Sequence, residues 1–103
     1  MGRLVVVYWR DIPSQVIASA GRRNQAKVML PDRFQQAIDA AAMKSGASDT
    51  DAYLEDWRRS DPVDCGGDLQ AAADAEAERL DAAYDRDWLR ALIAAGGRAA
   101  EAA

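Results

Sequence analysis

Seven consecutive residues, Leu4 to Arg10 (LVVVYWR), constrain this chain more than any other stretch. Leu, three Val, Tyr and Trp in succession suit a pleated, buried surface. The run is too short for a buried helix and far too short to cross a bilayer. It reads as the central strand of a small sheet, so the rest of the chain must supply partners for it. Asp11-Ile12-Pro13-Ser14 has turn chemistry, with Pro and Asp in turn-favouring roles. Gln15 to Ala20 reads as a second strand, and the short connection predicts an antiparallel hairpin. Gly21 ends that strand. Arg22 to Ala26 read as a polar connector, and Lys27 to Leu30 as a short extended lead into a helix.

The helix over 31–45 has a clear pattern. Pro31 suits a first helical turn, where its missing N–H would be unpaired in any case. Asp32 places a negative charge at the positive end of the helix dipole. Phe34, Ala37, Ile38, Ala41 and Ala42 share one face, and Gly46 suits the position just past the end. A polar loop over 47–51 follows. Residues 53–59 (YLEDWRR) fit two patterns: an alternating strand, or a short helix capped by Thr50 or Asp51. The strand is the expectation, because a two-stranded sheet is marginal and a third strand completes it. Asp61-Pro62 breaks any helix, and residues 63–67 form a linker. Asp68 caps a helix from Leu69 to about Ala83. Trp88, Leu89, Leu92 and Ile93 form the apolar face of a last helix, which Gly96-Gly97 stops. The expected architecture is a single α+β domain over 1–97. It has a three-stranded antiparallel sheet with helices packed on it, in the order β-β-α-β-α-α, and a frayed tail over 98–103.

Composition narrows the function. A chain of 103 residues supports one core. The net charge of −4 is uneven: residues 1–60 carry +2 and residues 61–103 carry −6. Duplex nucleic-acid binding usually shows as a basic domain, so this balance argues against it. A mildly basic sheet half beside an acidic helical half predicts internal pairing or an asymmetric surface for a partner. Cys65 is the one cysteine, which excludes an intramolecular disulfide and points to a reducing cytoplasm. Residues 5–7 are too short for the apolar core of a secretion signal.

The strings LVVVYWRDIPSQV, Gly21-Arg22-Arg23, RFQQAIDAAAM (33–43) and TDAYLEDWRRSDP (50–62) resemble a small bacterial domain family called "virulence factor". The most specific pieces are YWRDIP and the string formed by Tyr53, Leu54, Trp57, Arg58, Arg59, Asp61 and Pro62. The domain stands alone in many proteobacteria and is similar to a region of the larger staphylococcal conserved virulence factor C. The resemblance reaches to about Gly97 and brings no catalytic residues with it. It implies an accessory subunit in the setting of folate and corrinoid one-carbon metabolism, rather than a toxin.

The candidate site residues are aromatic and basic: Tyr8, Trp9, Arg10, Arg22, Arg23, Trp57, Arg58 and Arg59. Tyr8 and Trp9 point to opposite faces of a strand, as do Trp57 and Arg58. Uncovered aromatics beside arginines make a surface for a protein partner, and such residues dominate interface energetics. On this reading Trp9, Arg10, Trp57, Arg58 and Arg59 contact the partner. Alternatively, the C-terminal helices cover the second face and both tryptophans are core. Gly21-Arg22-Arg23-Asn24 could hold a phosphate or carboxylate, but it lacks the glycine spacing of a phosphate loop and reads better as a solvated basic turn. Arg10-Asp11 and Arg58-Arg59-x-Asp61 suit an ion-pair network better than general-base chemistry. Asp64 and Asp68 flank Cys65 and oppose thiolate formation. With no His in the chain, neither a Cys–His pair nor a Ser–His–Asp triad can form. Asp74, Glu76, Glu78 and Asp81 lack the loop of a cation site and read as a solvated face. The expectation is a non-catalytic module without metal or cofactor, docking on a protein partner or on itself and on no membrane. The rival is an anion-binding domain built on Arg10, Arg22, Arg23, Arg58 and Arg59.

Overall fold

Residues 2–47 and 51–98 are described in the computed structural model. Among them run β1 (Gly2–Trp9), β2 (Ile12–Ala20), β3 (Asn24–Met29), α1 (Asp32–Lys44), α2 (Asp51–Glu55), β4 (Trp57–Arg59), β5 (Val63–Gly66), α3 (Leu69–Ala83) and α4 (Arg86–Ala94). The expected α+β class, the antiparallel pairing and the helices packed on the sheet are all present. The sheet, however, has five strands rather than three. The loop expected over 47–51 and the tail expected over 98–103 fall mostly on residues 48–50 and 99–103, outside the described residues.

The two extra strands come from segments read as connectors. Asn24 to Met29 pairs with β2 along its length, from Ala20↔Asn24 to Gln15↔Met29. Ala26 and Val28 alternate with Gln25, Lys27 and Met29, a strand pattern in polar dress. Residues 63–66 pair with Gly2 to Leu4. β4 and β5 therefore lie end to end along the free edge of β1. The break between them falls at Asp61-Pro62, where proline lacks the N–H a ladder needs. Ser60 pins the break: its hydroxyl accepts from Val6 N at 2.8 Å, and its own N–H donates to Val6 O at 2.9 Å.

The ambiguous 53–59 stretch divides rather than choosing. Its first half is the helix α2 and its second half is the strand β4, so the single strand expected there is corrected. The hairpin turn is also tighter than expected. Trp9 pairs with Ile12, leaving Arg10 and Asp11 as the turn, and Arg10 takes a φ of 54°. Pro13 lies inside β2, beside a bulge between Val7 and Tyr8.

One face of the sheet carries Leu4, Val6, Val16, Ala18 and Ala26 into a core closed by Ala73, Ala77 and Leu80 of α3 and by Phe34 and Ile38 of α1. The small alanines let α3 lie close across β2 and β3. The expected cap holds, Asp68 accepting from Ala71 N at 3.0 Å, and Asp85 caps α4 in the same way, accepting from Trp88 N at 2.8 Å. Arg33 of α1 reaches the end of α3, donating to the carbonyls of Asp81 at 2.9 Å and Tyr84 at 3.1 Å.

The last helix ends in a turn built on Gly96 and Gly97. Gly97 has φ 94°, and a Cβ there would lie 2.8 Å from Cζ3 of Trp9. Replacing Gly97 with Ala thus combines left-handed strain with a clash against a rigid buried ring. Gly97→Ala is expected to destabilise the protein by about 2–4 kcal/mol in urea denaturation, with the slope of the transition unchanged.

Candidate functional site

The sheet has a second face that no described helix covers. Strand alternation puts Arg3, Val5 and Val7 of β1, Gln15, Ile17 and Ser19 of β2, and Lys27 and Met29 of β3 on it. None of these side chains belongs to the core cluster or packs against it. Ile17 is only 5% exposed, seated between Val5 and Lys27 in the register, while Met29 is 63% exposed. Arg59 lies opposite Val7, and Trp57 closes the end of the face next to the hairpin turn. A groove between β1 and β4 runs past Val7, Gln15, Trp57 and Arg59. The result is an apolar strip bordered by Arg3, Lys27 and Arg59, with Asp64 opposite Arg3.

The expected aromatic and basic residues scatter over four environments. Trp9, expected to contact a partner, is fully buried, and this corrects its place in the surface set. Its indole N–H donates to Tyr53 O at 2.9 Å, and its ring meets Tyr53 at 5.8 Å between centroids. Trp57 is half-buried, edge-on to Tyr53 at 6.0 Å. The two readings of the tryptophans thus divide between them: Trp9 is core, and Trp57 stands at the edge of the bare face.

Arg10 is 13% exposed and uses its guanidinium internally. Nε donates to Asp56 at 2.8 Å, Nη1 donates to Gly96 O at 2.7 Å, and the group stacks 4.6 Å from the Trp9 ring centre. Arg58 lies on the other face of β4 from Arg59. It covers the Tyr8 ring at 4.5 Å, donates to Arg10 O at 2.8 Å and pairs with Asp11 at 3.1 Å. Of the expected ion-pair network, Arg58 and Asp11 pair; Arg10 pairs instead with Asp56, which lies outside the expected set, and Arg59 and Asp61 form no ion pair among the described residues. Arg22 and Arg23 are exposed in the β2–β3 turn, at the opposite end of β2 from Arg10. Eight residues of strand separate those ends, roughly 27 Å. The five arginines of the anion-binding rival do not converge.

The remaining candidates are structural. Cys65 sits in β5 and packs against the core. Glu76 of α3 is held by Arg79 and Asp81 by Arg33. Among the described residues, no three His, Cys, Asp or Glu cluster as a metal site would require. No described helix is long and apolar enough to cross a membrane.

Sequence reading missed Tyr84. It caps α3, contacts Phe34 at 6.1 Å, and faces Tyr8 across a cavity beside β4. Its signal was slight: one aromatic in an acidic tetrapeptide that could bend or break a helix. Burial raises its pKa above the ordinary 10.0; Tyr8 and Asp11 push the same way, and Arg58 and Arg79 oppose them.

With this geometry in place, the sequence comparison identifies the chain. The "Virulence factor" family model matches residues 7–93 of the 103, so the chain belongs to that family. Neither a curated protein nor a solved structure matches it. The matched span runs from late β1 to α4 and contains both the bare face's β4 border and the Arg10 network.

Two outcomes follow from these side chains. Asp56→Asn removes the charge that Arg10 Nε faces and should cost about 1.5–3 kcal/mol in denaturation. A double-mutant cycle with Arg10→Met should show coupling between the two positions. Tyr84 favours the folded state fully below its unfolded-chain pKa. Above pH 10 the unfolded chain releases a proton that the folded state retains, so stability falls as pH rises through that range. Denaturation on either side of pH 10 should show a shallower decline for Tyr84→Phe than for the parent.

Proposed function

We propose that this protein is a non-catalytic docking module whose bare sheet face seats an acidic surface of a protein partner. The observation that supports this most is the strip of Val5, Val7, Ile17 and Met29, outside the core and bordered by three cations. Met29 is 63% exposed and Val5 and Val7 are half-buried around the buried Ile17, and a contiguous apolar strip that reaches solvent marks an interaction surface. Arg3, Lys27 and Arg59 around apolar contacts favour a partner that presents carboxylates around its own apolar centre. Trp57 and Arg59 supply the aromatic and guanidinium groups that anchor such contacts. The family resemblance supplies a class for the partner, an enzyme of folate or corrinoid one-carbon metabolism, for which this chain would be an accessory subunit.

Affinity purification of the tagged protein from its own organism, followed by reconstitution with the purified partner, tests the reading. Lys27→Glu and Met29→Asp, both exposed, should each weaken the complex at least tenfold without changing the thermal midpoint. Added salt should weaken it as well. A complex indifferent to both substitutions would refute the assignment of this face. A protein that elutes alone or as a dimer would refute the acidic-partner reading.

A further inference from the structure

The basic turn Arg22-Arg23 opens onto β3, the strand at one edge of the sheet. We propose that β3 takes up an extended acidic segment of the protein partner as a further strand, with Arg22, Arg23 and Lys27 receiving its carboxylates. This deepens the docking reading and rests on it, because Lys27 and Met29 belong both to this edge and to the bare face.

The backbone supplies the first argument. The order of the sheet leaves β3 with one neighbour, β2. The register carried one step past Met29↔Gln15 sets Leu30 opposite Ser14, and there Leu30 N–H donates to Ser14 O at 3.1 Å. In an antiparallel ladder, directly opposed residues alternate between bonded and non-bonded pairs. Val28, Ala26 and Asn24 are therefore the residues of β3 that bond β2. Gln25, Lys27 and Met29 turn their N–H and C=O groups outward, where they meet no other partner among the described residues. This row spans a six-residue strand without proline. The opposite edge offers no such row: β4 has three residues, β5 has four, and Asp61-Pro62 separates them. An unpaired row of donors and acceptors is a template for an added strand.

The charges select the occupant. Arg22, Arg23 and Lys27 are exposed, and none has an ion pair among the described residues. Asp68 lines the same cleft as Arg23, but its side chain is occupied in capping Ala71 N. A second copy of this chain fits the edge poorly. The symmetric pairing that uses all three outward residues sets Gln25 against Met29 and Lys27 directly against Lys27, and like charges so placed destabilise a sheet. The same lysine favours a strand that sets a carboxylate against it and an apolar side chain against Met29. Opposed residues share a face of the sheet, so these two side chains would extend the bare face by one strand.

The test is a nuclear magnetic resonance titration of the full chain with the end-blocked peptide Thr-Val-Thr-Glu-Thr-Thr-Glu-Glu. Antiparallel addition sets its Val opposite Met29, its first Glu opposite Lys27 and its last two beside the arginine turn. The expected result is saturable shifts from Arg22 to Met29. At saturation, exchange of the Gln25, Lys27 and Met29 amides with solvent should slow about tenfold or more. Replacing the three Glu with Gln should weaken binding about tenfold. The same peptide methylated on the nitrogens that face β3 should not bind. Gln25→Pro removes one outward N–H at an edge position that tolerates proline, and should abolish binding with the thermal midpoint kept; the methylated peptide makes the same test on the unaltered protein. Absence of saturable shifts, unslowed exchange at the three outward amides, or equal binding of the methylated peptide or of oligouridylate would each overturn the proposal. In the reconstituted complex, loss of binding with Gln25→Pro supports it. A complex that survives Gln25→Pro but is weakened by Met29→Asp leaves the docking face standing and overturns strand addition alone.

Discussion

One arginine in a left-handed turn joins three distant parts of the chain. Arg10 adopts φ 54°, a conformation that costs a non-glycine residue about 1 kcal/mol. The surrounding bonds hold it there. Its N–H donates to Asp56 O, its guanidinium bonds Asp56 and Gly96, and the next N–H, of Asp11, donates to Gly97 O. The hairpin turn, the exit of α2 and the end of α4 thus meet at one residue. The Trp9 ring fills the space beneath, with Gly97 pressed against it because no Cβ would fit. This arrangement explains why so short a strand as β4 stays in the sheet: its entry at Asp56 is fastened twice to Arg10.

The asymmetry of the sheet follows from the same economy. A chain of this length has apolar helix faces enough to cover one side of a five-stranded sheet. α3 and α1 spend theirs on the side that carries Val6, Val16 and Ala18. The other side keeps Val5, Val7 and Ile17, with long cationic side chains beside them whose stems shield apolar surface while their heads stay in water. Five carboxylates of the acidic C-terminal half, Asp74, Glu76, Glu78, Asp81 and Asp87, lie on α3 and α4, away from that face, while Asp64 stands opposite Arg3 at its border. The uneven charge of the sequence is therefore an uneven charge of the molecule, and it gives the domain two surfaces of opposite character.

Much of this fold could be read from local pattern. The Val run, the face of α1, the cap Asp68 and the stop at Gly96-Gly97 are signals within one or two turns of chain. β3 and β5 were not legible, because their pairing depends on strands already in place and their exposed positions are polar or small. Residues 53–59 satisfied a helix pattern and a strand pattern at once, and the structure uses one for each half. The arginines were legible as a set but not as individuals. Arg10 and Arg58 turn inward onto rings and carboxylates, Arg59 stays free, and Arg22 and Arg23 lie at the far end of the sheet.

By itself the sequence determined the elements with their own periodicity, the α+β class, the family and the chemical character of the candidate surface. Tertiary structure alone decided which tryptophan is core, which face of the sheet is bare, and that Tyr8, Tyr84 and Trp88 line one cavity. The physical reason is range. Periodicity, capping and turn chemistry act over a few residues and leave their mark on the chain directly. Burial and convergence depend on which distant segments arrive to cover a side chain, as Tyr53 and Gly97 arrive over Trp9 from 44 and 88 residues away.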